Sequence, residues 1–490
     1  MSSLGSKCVV PTGTDTGESG PNVIERFEPI LKHGPGFRSE ALTGWGRFPV
    51  ETCNVYRPEA RDELTAVLTS ARETSLLPRG LGRSYGDAAL NADAGVVSML
   101  RLNRLLSLDE EAGVLECEAG VSLHDILGAI MPRGLFLSVV PGTRFVTVGG
   151  AIASDIHGKN HHVDGTFSRF VESMTLLTPG GEVVRCSPEE YRDLFWATVG
   201  GMGLTGVILT ARLRLTRIET RYMTVDYRRS PDLEATLSAF EASDQDYRYS
   251  VAWIDCLARG AGLGRSVLML GEHAPADRVR DAALDAGMGL PRLNVPFDAP
   301  SWGLNGLTVR AFNELYYRVH RTRQDVVVRA DRFFFPLDGV GAWNRMYGRR
   351  GFVQYQAVVP HADGVRAVRA LLERLSSSGR ASFLAVLKKM GSEGAGMLSF
   401  PMEGYTLALD IPRRRGLGKL LAGLDRIVLE SGGRVYLTKD ASLAAGAFRD
   451  MYPGLGRFRS VKEALDPGGL FSSSQARRLG IAPDSRSVGA

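Results

Sequence analysis

The chain has 490 residues, 44% of them apolar and 23% charged, with a formal net charge of +5. That length exceeds what one compact core covers, so two domains are expected. The charge is too mild and dispersed for a nucleic-acid binder. No run of eighteen apolar residues is present to span a membrane, so a cytoplasmic protein, or one peripheral to a membrane, is expected. Five scattered cysteines (Cys8, Cys53, Cys117, Cys186, Cys256) form no CxxC pair, which argues against a zinc site or a disulfide framework.

Residues 1–22 are rich in Gly, Ser, Thr and Pro without an apolar core, and are expected to form a disordered tail. A first domain is expected over 23–216, where helical and strand signals alternate. Pro58 stands at an expected first helical position, before Leu64, Val67 and Leu68 at helical spacing. Ser122 is placed to cap a helix carrying Leu123, Ile126 and Leu127. Ser187-Pro188-Glu189-Glu190 reads as a capping box opening a helix through Leu194, Phe195 and Trp196. After Gly200–Gly206, the alternation of Val207, Leu209, Ala211, Leu213 and Leu215 predicts a strand with one buried face.

Residues 217–433 gather aromatics in strand-like runs at 247–253, 333–336 and 351–356, around a polar, Pro-rich stretch at about 272–302 expected to be mobile. An antiparallel sheet with flanking helices, serving as a substrate domain, is expected here. Residues 434–480 are expected to return and complete the first domain, giving an α+β protein.

Two glycine-rich segments carry the chemistry. Residues 78–87 (Pro78-Arg79-Gly80-Leu81-Gly82-Arg83-Ser84-Tyr85-Gly86-Asp87) offer free amides beside two arginines, the composition of an anion-binding nest. Residues 141–158 pair glycines with small residues and end in His157-Gly158, so their backbone can lie against a flat, charged group. Together they suggest the two ends of one long anionic cofactor, read as FAD. Gly201-Met202-Gly203-Leu204-Thr205-Gly206 matches GxGxxG, but an expected helix precedes it and a strand follows, the reverse of a dinucleotide fingerprint. His157, His161 and His162 have no supporting carboxylate or cysteine cluster, so no metal site is expected. Gln354 and Gln356, two apart, share one strand face and suit a polyhydroxylated sugar.

These segments resemble the vanillyl-alcohol-oxidase (VAO/PCMH) type of FAD-binding fold and, within it, the decaprenylphosphoryl-β-D-ribose oxidase sub-family. The resemblance runs from about residue 45 to 480. It includes Val148-Gly149-Gly150-Ala151, His157-Gly158-Lys159-Asn160, Phe195–Gly201, Ser399-Phe400-Pro401 and Thr438-Lys439-Asp440. It implies a two-part FAD-binding domain plus a substrate domain. The implied reaction is hydride transfer from the C2 carbon of a polyprenyl-phosphoryl ribose to flavin, with a separate NAD(P)H-dependent reductase completing an epimerisation. Lys439 and His157 are then the catalytic candidates. Cofactor contacts fall to Arg79, Gly80, Leu81, Gly82, Arg83, Ser84, Tyr85, Gly142, Thr143, Val148, Gly149, Ala151, Ser154, His157, Gly158, Asn160, Gly206 and Val207. Substrate contacts fall to Lys159, Trp253, Phe334, Gln354, Gln356, Lys388 and Thr406, with Tyr316 as a further wall. Family members with covalent flavin carry a histidine in the first glycine loop; here Arg83-Ser84-Tyr85 offers neither histidine nor cysteine, so non-covalent flavin is expected.

The chain departs from the resemblance on the substrate side. Thr406 and Ala408 stand where Asn and Cys are frequent, and Phe334 where Tyr is common. Those differences keep open an oxidase of a soluble nucleoside or glycoside. A flavin-binding partner without catalysis is the rival of another class, and the presence of His157 and Lys439 argues against it. The basic run Arg413-Arg414-Arg415 with Lys419 is a candidate contact for anionic lipid, or a solvated helix end.

Overall fold

A computed structural model describes residues 36–70, 73–279, 289, 293–300, 303, 305–380 and 384–481. The tail expected at 1–22 lies outside these residues, as does much of the stretch expected to be mobile at 272–302.

The first sheet has four strands in the order Arg38–Thr43, Val50–Tyr56, Gly95–Ser98 and Leu76–Arg79. Its first pair is antiparallel and the others are parallel. The second sheet is built on Val207–Arg217, which pairs antiparallel with Val114–Glu118 on one side and Val171–Leu177 on the other. Along it Val207, Leu209, Ala211, Leu213 and Leu215 are buried, while Arg214 is exposed, as the alternation predicts. Ser122 caps the Leu123–Ile130 helix by accepting from the Asp125 amide at 3.1 Å. The segment Gly200–Gly206 joins the Arg192–Thr198 helix to this central strand, so glycines here follow a helix and do not open one.

The third sheet has eight strands, all antiparallel. Their order is Arg323–Arg329, Tyr222–Ser230, Ser266–His273, Tyr249–Ile254, Ala385–Met390, Gly404–Pro412, Phe352–Val359 and Arg434–Val435. Helices Leu233–Ser243, Gly364–Ser378 and Leu417–Glu430 contribute their apolar stripes to the core with it. In the second of these, Ala367, Val368, Leu371, Leu372 and Leu375 recur at helical spacing and are buried. Among the described residues, no helix is long and apolar enough to cross a membrane. The Arg413 side chain, at the start of the basic run, stacks its guanidinium 4.0 Å from the Phe48 ring centre.

Three local expectations are corrected. Pro58 precedes its helix, which spans Arg61–Ser70; Glu63 reaches back to accept from the Glu59 amide at 2.8 Å, closing a turn before the helix begins. Ser187 Oγ accepts from the amides of Glu189 and Glu190, at 3.2 and 2.9 Å, and closes its own turn. Tyr191 then takes a left-handed conformation (φ 47°), so the helix opens only at Arg192. Residues Phe333, Phe334 and Phe335 are all buried, and Phe333 and Phe334 belong to the short helix Ala330–Phe334, not to a strand. Three successive buried rings do not fit the alternation of a strand.

The C-terminal segment closes the first sheet. Phe471 bridges Leu76, and the backbone of 470–472 bonds to both polar groups of Leu76. A buried pair fixes this contact. Lys462 Nζ pairs with the Asp466 carboxylate and donates to the Phe471 carbonyl at 2.8 Å. Asp466 also accepts from the amides of Leu470 and Phe471, each at 2.8 Å. Removing one member of a buried, hydrogen-bonded pair costs about 3–5 kcal/mol, because the other charge is stranded. Lys462→Ala is therefore expected to lower the thermal midpoint by several degrees, while Lys419→Ala on an exposed helix surface leaves it unchanged. Equal midpoints for the two variants would show that the buried pair does not hold this closure.

Candidate active site

A cavity of about 400 Å³ lies where the two glycine segments face the eight-stranded sheet. On the glycine side its wall includes Arg79, Gly80, Leu81, Gly82, Arg83, Ser84, Tyr85, Gly142, Thr143, Gly149, Ser154, His157, Gly158 and Gly206. Much of this wall is backbone. A Cβ on Gly80 would lie 2.1 Å from Thr147 Oγ1, and Gly82 (φ +63°) would place one 2.3 Å from Arg79 Nη2. Both positions exclude a side chain. Arg79 braces the loop by donating to the carbonyls of Thr43, at 2.7 Å, and Ala89. Arg83 stacks 3.9 Å over Trp45. Ser84 Oγ is buried without a hydrogen-bond partner among the described residues. An open backbone wall, a stacked arginine and an orphaned buried hydroxyl fit a long anionic cofactor such as FAD.

Five predicted contacts do not reach this wall. In the helix Val148–Ala153 the turns set Val148, Ala151 and Ile152 into the core, while Gly149, Gly150 and Ala153 face the cavity. Val148 and Ala151 are therefore core residues. Asn160 is buried behind the loop and donates to the Ser138 carbonyl at 2.7 Å and the Asp164 carboxylate at 2.6 Å. Val207 packs in the core with Leu64, Leu76, Val97 and Phe471 while the Gly206 before it lines the cavity. Thr406 shares the cavity-facing side of its strand, but the Gln356 amide covers it, donating to Thr406 Oγ1 at 3.2 Å.

The sheet supplies the opposite wall through alternate residues. Gln354 stands opposite Asp410, Ala408 between Gln356 and Val386, and Lys388 opposite Thr406. Of these, Gln354, Gln356, Ala408, Val386 and Lys388 line the cavity, together with Trp253, Tyr316 and Phe334. Trp253 and Tyr316 meet at a tilt of 39°, with ring centres 4.5 Å apart. Two adjacent lysines show the effect of alternation. Lys389 points to the helical face and pairs with Glu241 (2.6 Å) and Asp244 (2.9 Å), which raise its pKa. Lys388 points into the cavity, where burial and the nearby Lys439 charge bring it down to about 7.

Lys439 enters from the turn after Arg434–Val435. Its ammonium sits 4.4 Å from the Tyr85 ring centre, and burial lowers it to about 8 although Asp410 acts in the opposite direction. His157 is buried, and burial reinforced by Lys388, His161 and Lys439 holds its pKa well below the ordinary value. The Gln356 amide donates to His157 Nε2 at 3.0 Å, which leaves the ring proton on Nδ1. Lys159 also lines the cavity, but its amine donates to the Phe333 carbonyl, over the Phe333 ring. That contact braces the loop and departs from the substrate contact expected of it. His161 accepts from the Gly391 amide at 3.0 Å, and no metal-binding cluster occurs among the described residues.

Sequence reading missed Asp338 and Asp410. Asp338 lines the cavity and accepts from Thr143 Oγ1 at 2.7 Å and the Arg144 amide at 2.9 Å. No sequence signal ties it to residues nearly two hundred positions away. Asp410 could have been found, since it lies two and four residues beyond Ala408 and Thr406 on one strand face.

The FAD binding domain family matches residues 54–187. Over 449 residues the chain is 39% identical to decaprenylphosphoryl-β-D-ribose oxidase of Mycolicibacterium smegmatis, covering 90% of this chain and 97% of that one. It is 37% identical over 373 residues to an uncharacterized protein of Streptomyces coelicolor, covering 74% of this chain and all of that one. With L-gulonolactone oxidase of Scyliorhinus torazame the identity is 24% over 441 residues, covering 85% and 92% of the two chains. The extent of the first match, the FAD binding domain and a cavity walled by glycine backbone lead to one assignment: the chain belongs to the decaprenylphosphoryl-β-D-ribose oxidase family and is an FAD-dependent oxidoreductase with the α+β fold of the vanillyl-alcohol-oxidase (VAO/PCMH) type.

Proposed function

We propose that the protein oxidises a secondary hydroxyl of a sugar, in the first instance C2 of a polyprenyl-phosphoryl ribose, to the 2-keto sugar. A separate NAD(P)H-dependent reductase would complete an epimerisation. The observation that carries this reading is the convergence on one cavity of Lys388, Gln354 and Gln356 from the sheet, Lys439 from the turn beyond it and His157 from the second glycine segment. FAD, when bound, supplies the hydride acceptor. On this reading residues 79–85, 142–143, 149, 154, 158 and 206 hold the cofactor without a covalent bond.

Each residue then has a task set by its environment. Lys388, a compact charge on the cavity wall, holds the phosphate. Lys439, near 8, has neutral amine available close to neutrality and accepts the hydroxyl proton at Nζ. His157 stays neutral and, locked by Gln356, orients the sugar and does not take its proton. Trp253, Tyr316 and Phe334 exclude water. Phe334 and Ala408 on the cavity wall, where the family often has Tyr and Cys, favour a second reading: the same chemistry on a soluble nucleoside or glycoside.

Anaerobic addition of polyprenyl-phosphoryl ribose is expected to bleach the flavin bands of the purified protein, and denaturation to release the flavin. Lys439→Met is expected to slow the bleaching about 100-fold or more, and His157→Gln less. Bleaching by soluble glycosides alone would select the second reading, and none with any sugar would overturn both.

The lysines also predict how stability depends on pH. Lys159 and Lys388 stand at about 7 and Lys439 at about 8 in the folded chain, against about 10.4 when unfolded. Between these limits the unfolded chain binds more protons, so stability rises with pH. Above about pH 9 the thiols raised by burial oppose the trend. The thermal midpoint of the sugar-free flavoprotein should therefore climb between about pH 7.5 and about pH 9. Lys388→Met should raise the midpoint and flatten the slope; an unchanged slope would mean that Lys388 is charged at little cost.

A further inference from the structure

We propose that Asp410 is a positioning residue for the reaction: its carboxylate, tied to Gln354 and Tyr347, fixes the Gln354 amide on the cavity wall. Its effect on the sugar rests on the function proposed above; the tie itself does not.

The geometry begins with register. Asp410 is the cross-strand partner of Gln354, on the same strand face as Thr406 and Ala408. It is 1% exposed and does not line the cavity itself. Its Oδ1 accepts from Gln354 Nε2 at 2.6 Å and its Oδ2 from the Tyr347 hydroxyl at 3.3 Å. A carboxylate is acceptor-only, so Gln354 must turn its NH₂ toward it. The Gln354 carbonyl oxygen is then the group available to a ligand, and an acceptor at this wall selects a hydroxyl that donates. Asp410 thereby determines the polarity presented by a residue it lies behind.

Asp410→Asn keeps an oxygen for the Gln354 amide and turns its NH₂ to the Tyr347 hydroxyl, which can accept, whereas Asp410→Leu releases Gln354. The first measurement uses the sugar-free flavoprotein and needs no substrate. Thermal midpoints of the native protein, Asp410→Leu, Gln354→Leu and the double variant form a cycle. The two effects should be non-additive, and additivity would overturn the tie between the two side chains. The second follows anaerobic flavin reduction by the sugar: Asp410→Leu should raise KM with kcat little changed, and Asp410→Asn should restore it. A KM unchanged in Asp410→Leu would overturn the positioning. If no sugar reduces the flavin, the proposed function fails and the midpoint cycle alone decides the tie.

Discussion

Everything at the site depends on holding two remote stretches of backbone against each other, and Arg478 does this with one guanidinium. Its Nε and Nη2 donate to the two oxygens of Asp87, at 2.8 and 2.7 Å, across 391 residues of sequence. The same Nη2 donates to Asp440 at 2.7 Å. Asp87 ends the first glycine loop and Asp440 follows Lys439, so one planar fork ties that loop to the turn that carries Lys439. Bidentate pairing gives direction as well as strength. The backbone repeats the tie, since the Tyr85 amide bonds to the Thr438 carbonyl at 2.8 Å. Lys439 is thereby held over the Tyr85 ring with little freedom, and the Gln475 amide adds a bond to the Leu437 carbonyl at 2.8 Å.

That rigidity explains how the site can keep cations away from water. A lysine on a flexible turn would swing outward and remain charged, because hydration is worth far more than any cavity contact. Here the Tyr436–Asp440 turn is anchored at both ends, to the Gln356 carbonyl through the Tyr436 amide and to Arg478 through Asp440. Lys388 is fixed by strand register. Both amines therefore stay on the cavity wall, where burial brings them down to about 7 and about 8.

Much of this arrangement was legible in the residues. Chain order, the helix-glycine-strand arrangement that dismissed the dinucleotide fingerprint, the antiparallel third sheet and the return of the last segment to the first sheet all followed from periodicity and resemblance. What failed did so for local reasons. Val148 and Ala151 sit inside a glycine motif, yet a helix shows only one face to a cavity, and the motif does not say which. Thr406 has the right parity and lies under a glutamine. Lys159 sits beside His157 but finds a nearby carbonyl first. Three phenylalanines in a row were read as strand because aromatics favour strands, although burial of all three requires a turn of helix. Asp410 was passed over because a carboxylate behind a wall leaves no motif.

The two sides of the cavity differ in what sequence change can do to them. The cofactor side is shaped by backbone: Gly80 and Gly82 leave no room for a Cβ, and a substitution there moves the loop itself. The sheet side is shaped by side chains on a fixed register, so Phe334 can lack a hydroxyl and Ala408 a thiol while every strand keeps its place. Phe334 shows this, for its ring is held by Tyr249 at 4.9 Å and Phe136 at 5.1 Å and asks for no polar partner. Ala408 likewise sits between Gln356 and Val386 without disturbing either. Substitutions at Phe334 and Ala408 therefore fall where the fold is indifferent, and only what occupies the cavity can register them.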